Sequence, residues 1–151
     1  MRSDAEGDVS TQYPKLVVNC DGASRGNPGP AGAGAILTTP RGEIVAEIAE
    51  GLGRTTNNVA EYTAVIHGLQ RAHELGALDV LLRTDSQLLV NQLTGRYRVK
   101  TPHLVPLVRR VRELAAGFDR IRFEHVPRER NVEADRLANA GVDAWLASGG
   151  R

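Results

Sequence analysis

KLVVNCDGASRGNPGP (residues 15–30) decides how the chain is laid out. Its first half alternates Leu16, Val18 and Cys20 with other side chains and is rich in β-branched residues, so residues 15–21 read as a strand. Asp21 ends that strand, and residues 22–30 (GASRGNPGP) read as a glycine, proline and asparagine loop. Next, residues 32–39 and 43–51 flank Thr39-Pro40-Arg41-Gly42, a hairpin signal. The three strands should form an antiparallel meander.

Beyond the meander the period changes. Thr55-Thr56-Asn57-Asn58 offers capping side chains ahead of a helix over residues 59–75, where Tyr62, Val65, Ile66, Leu69, Ala72 and Leu75 recur at helical spacing. Gly76 stops it. Residues 79–84 read as a strand, and Asp85-Ser86 caps a second helix through about Leu93. Pro102 precedes a third helix over residues 103–116, residues 121–126 form a fifth strand, and Asn131 precedes a last helix over residues 132–147. The order βββαβααβα predicts an α/β fold: a mixed five-stranded sheet with helices on both faces. The expected unit spans residues 15–147, between a flexible tail (1–14) and a flexible end or start of a linker (148–151).

Bulk properties narrow the class. At 151 residues, 41% hydrophobic and 25% charged, the chain fits one soluble domain with a substantial core. No apolar run approaches the roughly 20 residues of a membrane span, and the polar, acidic N-terminus has no secretion-signal pattern. The one cysteine, Cys20, cannot form an intrachain disulfide, so a reducing cytoplasm is expected and Cys20 reads as core. Charge is uneven: residues 1–95 carry seven Lys/Arg and eleven Asp/Glu, residues 96–136 eleven and six. Such a basic stretch attracts a polyanion, or is simply a set of solvated helix faces.

Four acids carry the chemistry. Asp21 and Asp85 end the first and fourth strands, which as parallel neighbours place both carboxylates at the carboxyl edge of the sheet, where open α/β folds bind ligands. Glu61 lies in line with Val65 and Leu69, and Asp135 in register with Ala138, Val142 and Trp145, each on the margin of a core-facing stripe. Singly, each has an ordinary explanation, as turn or cap residue or as a first-turn acid favoured by the helix dipole. Jointly they repel one another by about 1 kcal/mol per pair at 4 Å even in water. That repulsion calls for positive charge. Oxygen ligands without cysteine or clustered histidine favour Mg²⁺ or Mn²⁺, and two such ions about 4 Å apart suit hydrolysis of a phosphodiester.

The local contexts are recognisable. DGASRGNPGP (21–30), TTNNVAEY (55–62), TDSQ (84–87) and NVEADRLA (131–138) resemble, in order and spacing, the four acidic motifs of the type 1 ribonuclease H family, over about residues 16–146. The resemblance implies the ribonuclease H-like fold and cleavage of the RNA strand of an RNA–DNA hybrid, leaving 5′-phosphate and 3′-hydroxyl ends. It implies that Asp21, Glu61, Asp85 and Asp135 hold the metal ions. Gly22, Asn27, Asn57, Asn58 and Gln87 match positions that meet the hybrid's minor groove, and Thr56 one near a DNA phosphate. Arg128 is the first candidate for product release or phosphate contact, and His125, ten residues before Asp135, the second.

Two departures stand out. Residues 93–106 are too short for the basic, Trp-containing protrusion of many bacterial members, leaving Arg96, Tyr97, Arg98 and Lys100 as a reduced substitute. The surroundings of His125 read as strand end, not as the family's Gly-rich loop. The compact form is similar to the actinobacterial type, in which such a domain can be joined to a C-terminal phosphatase; a monomer is expected. Alternatives are a catalytically inactive nucleic-acid-binding module of this fold, or a related nuclease that also cuts double-stranded RNA, whose A-form minor groove is similar.

Overall fold

The computed structural model describes residues 12–150. Its central strand, β1 (Lys15–Ser24), turns Leu16, Val18 and Cys20 to one face, where they are buried. β2 (Gly29–Thr38) and β3 (Ile44–Thr55) follow as the antiparallel meander. Helix α1 (Asn57–Glu74) then crosses to β4 (Asp79–Thr84), which lies parallel to β1. Helices α2 (Gln87–Leu93) and α3 (Val105–Ala116) lead to β5 (Arg120–His125), parallel to β4, and α4 (Val132–Ala147) closes the chain. The sheet order is β3-β2-β1-β4-β5. The expected mixed five-stranded sheet is therefore present.

The two faces are packed differently. On one, Val18, Cys20, Ala35, Leu37, Val80 and Leu82 meet α1 and, beyond it, α3 through Tyr62, Val65, Leu69, Val108 and Val111 in one apolar cluster. His73 belongs to this packing: its ring stacks on Phe118 with centroids 3.8 Å apart, and Nε2 lies 2.9 Å from the Leu114 carbonyl. On the other face α4 lies almost directly on the backbone of β2 and β3. A Cβ added to Gly34 would sit 2.4 Å from both the Ala134 carbonyl oxygen and the Ala138 nitrogen. Only glycine admits that approach. No helix among the described residues is long and apolar enough to cross a membrane.

Several boundaries differ from the expectation. The loop read over residues 22–30 is really a short turn, because Gly22, Ala23 and Ser24 pair with Ala33, Gly32 and Ala31. Gly29 and Pro30 pair onward to Thr55 and Arg54, so β3 runs four residues beyond Gly51, through a bulge near Gly53. Small residues that read as loop are there to let α1 and α4 approach the sheet. Helix α1 starts at Asn57, capped by the Thr56 hydroxyl accepting from the Val59 N–H at 3.3 Å, and α3 is preceded by a 3-10 turn, Pro102–Leu104. Of the tail expected over residues 1–14, residues 1–11 lie outside the described residues; the Tyr13 N–H bonds the Leu75 carbonyl, and the Pro14 carbonyl accepts from Leu78 and Asp79. Ser148 and Gly150 donate back to α4, so they cap that helix, and Arg151 lies outside the described residues.

The close approach of α4 gives a direct test. Gly34→Ala should lower stability by about 2–3 kcal/mol, read as a fall in thermal midpoint, because neither backbone can give way cheaply. An unchanged midpoint would show that α4 does not sit against β2 as described.

Candidate active site

Asp21 stands on β1 one residue past its last pairing with β4, and Asp85 immediately follows β4. Parallel pairing of Cys20 with Thr84 puts the two acids side by side where the pairing of β1 with β4 ends. Glu61 arrives from α1, and the reason is again a missing side chain. A Cβ on Gly22 would lie 2.3 Å from the Glu61 nitrogen. Without it, the first turns of α1 close directly on β1, and Asp21, Glu61 and Asp85 each offer an oxygen within 4.8 Å of the others.

Asp135 reaches the site from the opposite face. At the N-terminus of α4, Asn131 is 1% exposed, and its side chain donates to the Cys20 carbonyl at 2.8 Å while accepting from the Asn19 amide at 3.4 Å. This pins the start of α4 to the peptide preceding Asp21, and the Asp135 N–H bonds the Asn131 carbonyl one turn on. Asp135 is thereby held near Asp21, and its carboxyl group helps to push the Asp21 pKa up. The four acids do meet, three as a tight cluster and the fourth joined to it through Asp21.

The electrostatics are unfavourable for bare carboxylates. Asp21 is only 7% exposed; burial first, then Asp85, Asp135 and Glu61, push its pKa up to about 8. Burial and Asp85 push Glu61 up to about 7, although hydrogen bonds from Ser86 and Asn57 oppose the shift. Among the described residues none of the four forms an ion pair with Lys or Arg. They open into a cavity of about 410 Å³ whose only cationic lining is Arg25 and Arg128. An all-oxygen donor set with unbalanced negative charge fits a hard divalent cation. Cys20 takes no part: its thiol is buried, donates toward the Ala64 carbonyl, and burial pushes its pKa up.

The other expected site residues are placed unequally. Gly22 and Asn57 line the cavity. The Asn27 side chain accepts from the Asn57 N–H at 3.0 Å, and so braces the entry of α1. Thr56 is the cap of that helix, Asn58 is exposed beside it, and Gln87, exposed at the start of α2, bonds Asn91 at 3.3 Å. Arg128 lines the cavity from the 3-10 turn Arg128–Arg130, whereas His125 is exposed at the end of β5 and does not line it. Arg25 and Asn139, which also line it, were not singled out from sequence. A clue for Asn139 was its place four residues after Asp135.

A sheet ordered β3-β2-β1-β4-β5, with one acid on β1 beside a second that follows β4, is the ribonuclease H class of fold. The family model described as reverse transcriptase-like matches residues 19–141. A bifunctional protein of Mycobacterium tuberculosis is 50% identical over 135 residues, 89% of this chain but 37% of that protein. The solved structure of its N-terminal RNase H domain, as a fusion with maltose-binding protein, superposes with TM-score 0.86 at 48% identity, covering 89% of this chain and 98% of that one. RNase H1 from the archaeon Halobacterium salinarum gives TM-score 0.84 at 48% identity over 86% and 98% of the two chains, although this chain spans 62% of the length of that organism's full ribonuclease HI. An RNase H1 isolated from compost, solved in complex with an RNA/DNA hybrid, gives 0.83 at 38% over 87% and 99%. The chain belongs to the ribonuclease H family.

The raised carboxyl pKa values fix a sign. With cations chelated, the folded chain holds protons on Asp21 and Glu61 that the unfolded chain releases in the ordinary carboxylate range, so stability from this cluster falls as pH rises from about 4 toward 8. Asp21→Asn should therefore melt above the parent at pH 8, by on the order of 1–3 kcal/mol, with the gap shrinking toward pH 5. Identical midpoints across that range in chelator would mean the acids are not under this strain.

Proposed function

We propose that this chain is a metal-dependent endoribonuclease that hydrolyses the RNA strand of RNA–DNA hybrids, leaving 5′-phosphate and 3′-hydroxyl ends. The observation that carries the reading is the meeting of Asp21, Glu61 and Asp85 within 4.8 Å, with Asp135 near Asp21, in an open cavity where, among the described residues, none of them has a Lys or Arg ion pair. In this reading the four carboxylates hold two Mg²⁺ or Mn²⁺ ions. When bound, such a pair supplies an activated water and a counter-charge for the leaving oxygen.

The chain's own residues orient the substrate. Asn57 and the backbone of Gly22 border the acids, so an amide and peptide groups face the strand that is cut; such groups read 2′-hydroxyls and base edges in a minor groove. Asn27, Asn58 and Gln87 surround that edge, and Thr56, at the N-terminus of α1, serves a DNA phosphate where the helix dipole favours negative charge. Arg128 is assigned phosphate contact and product release, ahead of His125, because it lines the cavity and His125 does not. Beyond α2 in the chain, a cleft lined by Tyr97, Arg98, Arg109 and Arg112 gives a basic track for the rest of the duplex. The hybrid held by the compost-derived relative supports the choice of substrate.

The rest of the proposal concerns context. Residues 15–147 are the catalytic unit, acting as a monomer in the cytoplasm. A second, fused activity such as a phosphatase accords with the word bifunctional in the name of the M. tuberculosis relative.

Matched labelled duplexes test this directly. With Mg²⁺ or Mn²⁺ the RNA of an RNA–DNA hybrid should be cut, double-stranded RNA more slowly, and DNA not at all; chelator should stop the reaction. Asp85→Asn should lose at least about 100-fold in rate while keeping its fold by circular dichroism. A folded Asp85→Asn protein with full activity would refute the assignment.

A further inference from the structure

We propose that Arg25 is a positioning residue for Asp135, acting through the side-chain amide of Asn139; this rests on the reading of Asp135 as one of the metal-holding acids. Arg25 sits in the turn between β1 and β2, and its Nη1 lies 2.8 Å from Asp143 Oδ1 on α4. Its Nη2 donates to both oxygens of Asn139, the side-chain Oδ1 at 3.3 Å and the backbone carbonyl at 3.4 Å. Asn139 Nδ2 in turn donates to the Asp135 backbone carbonyl at 3.0 Å and to the Asp135 carboxylate Oδ1 at 3.4 Å.

The chemistry of an amide makes this a relay. Asn139 has an acceptor end and a donor end, and nothing but its partners decides which way round it lies. A guanidinium carries five donors and no acceptor, so it accepts only one orientation, with Oδ1 toward Arg25. The N–H groups then face Asp135. Flipped, the amide would turn an oxygen on the carboxylate and a donor on the guanidinium, losing both contacts. No Lys or Arg among the described residues pairs with Asp135 directly, and its carboxyl neighbour is the acid Asp21, so Asn139 is the donor side chain holding it.

Asp143 completes the device. It sits eight residues beyond Asp135 on the same helix, and its carboxylate takes one arm of the Arg25 fork while Asn139 takes the other. The Arg25–Asp143 pair is exposed, 42% and 67%, and a pair so placed adds little stability alone. Its value lies in fixing the plane of the guanidinium. A lysine has no such fork: it can pair with Asp143 without orienting the amide.

The test uses Mn²⁺ binding to the protein alone, followed by calorimetry or electron paramagnetic resonance, beside steady-state cleavage of a hybrid. Arg25→Ala and Asn139→Ala should each weaken Mn²⁺ binding by about fivefold, the scale of one hydrogen bond, and lower kcat with little change in KM. The double variant should be no worse than either single one. Arg25→Lys should behave like Arg25→Ala, although it keeps the charge. Additive losses, or Mn²⁺ affinity unchanged in Arg25→Ala, would overturn the relay. So would a raised KM in Arg25→Ala that Asn139→Ala does not share, which would make Arg25 a direct phosphate contact. Failure of the parent to cut any hybrid, with the Mn²⁺ losses still non-additive, would remove the proposed function and leave the relay standing.

Discussion

Mutual repulsion among carboxylates that the fold will not let apart is the constraint on which the rest of this molecule depends. Unfolded, Asp21, Glu61, Asp85 and Asp135 would be solvated and distant. Folded, backbone packing brings three of them within 4.8 Å and sets the fourth against Asp21, with no Lys or Arg ion pair recorded among the described residues to balance them. Protons on Asp21 and Glu61 relieve the strain at neutral pH, as their pKa values of about 8 and 7 indicate. A divalent cation relieves it better, and stored repulsion of this kind becomes affinity for the ion.

Rigidity makes the constraint hold. The parts that approach too closely for a side chain, Gly22 against α1 and Gly34 against α4, fix both helices to the sheet from opposite faces. The buried Asn131 does the same by hydrogen bonding, since its amide ties the residue just before α4 to the peptide before Asp21. Asp21, Glu61 and Asp135 thus sit on regular elements and Asp85 immediately follows β4, so packing determines their backbone positions. Arg128, Asn58 and Gln87 are exposed, where a substrate can reach them.

Much of this was legible in the sequence, for identifiable reasons. Period-2 runs and an early βββ order carry the sheet, and Asp85 is legible as the residue at a strand's end; Asp21 reads as a strand end too, but β1 continues past it to Ser24. Glu61 was visible as an acid on an apolar stripe. Residues 22–30 read as a glycine, proline and asparagine loop, yet Gly22–Ser24 extend β1 and Gly22 leaves room for α1; composition cannot separate the two uses. Asn131 was recognised as a helix start, but its side chain goes to β1 and caps nothing, a choice made by a strand 111 residues away. Arg25 and Asn139 escaped notice for the same reason: their partnership spans 114 residues and has no local pattern. His125 shows the converse, a correct spacing from Asp135 that places a side chain outside the cavity.

Proton release on cation binding measures the central claim most directly. Titrating chelator-treated protein with Mn²⁺ at pH 7 in two buffers of different ionisation enthalpy should show about one proton expelled per site filled, falling toward zero by pH 9.5 as the acids ionise unaided. Binding at pH 7 with no proton released would mean that the carboxylates are already relaxed, and that the strained acidic centre described here does not exist.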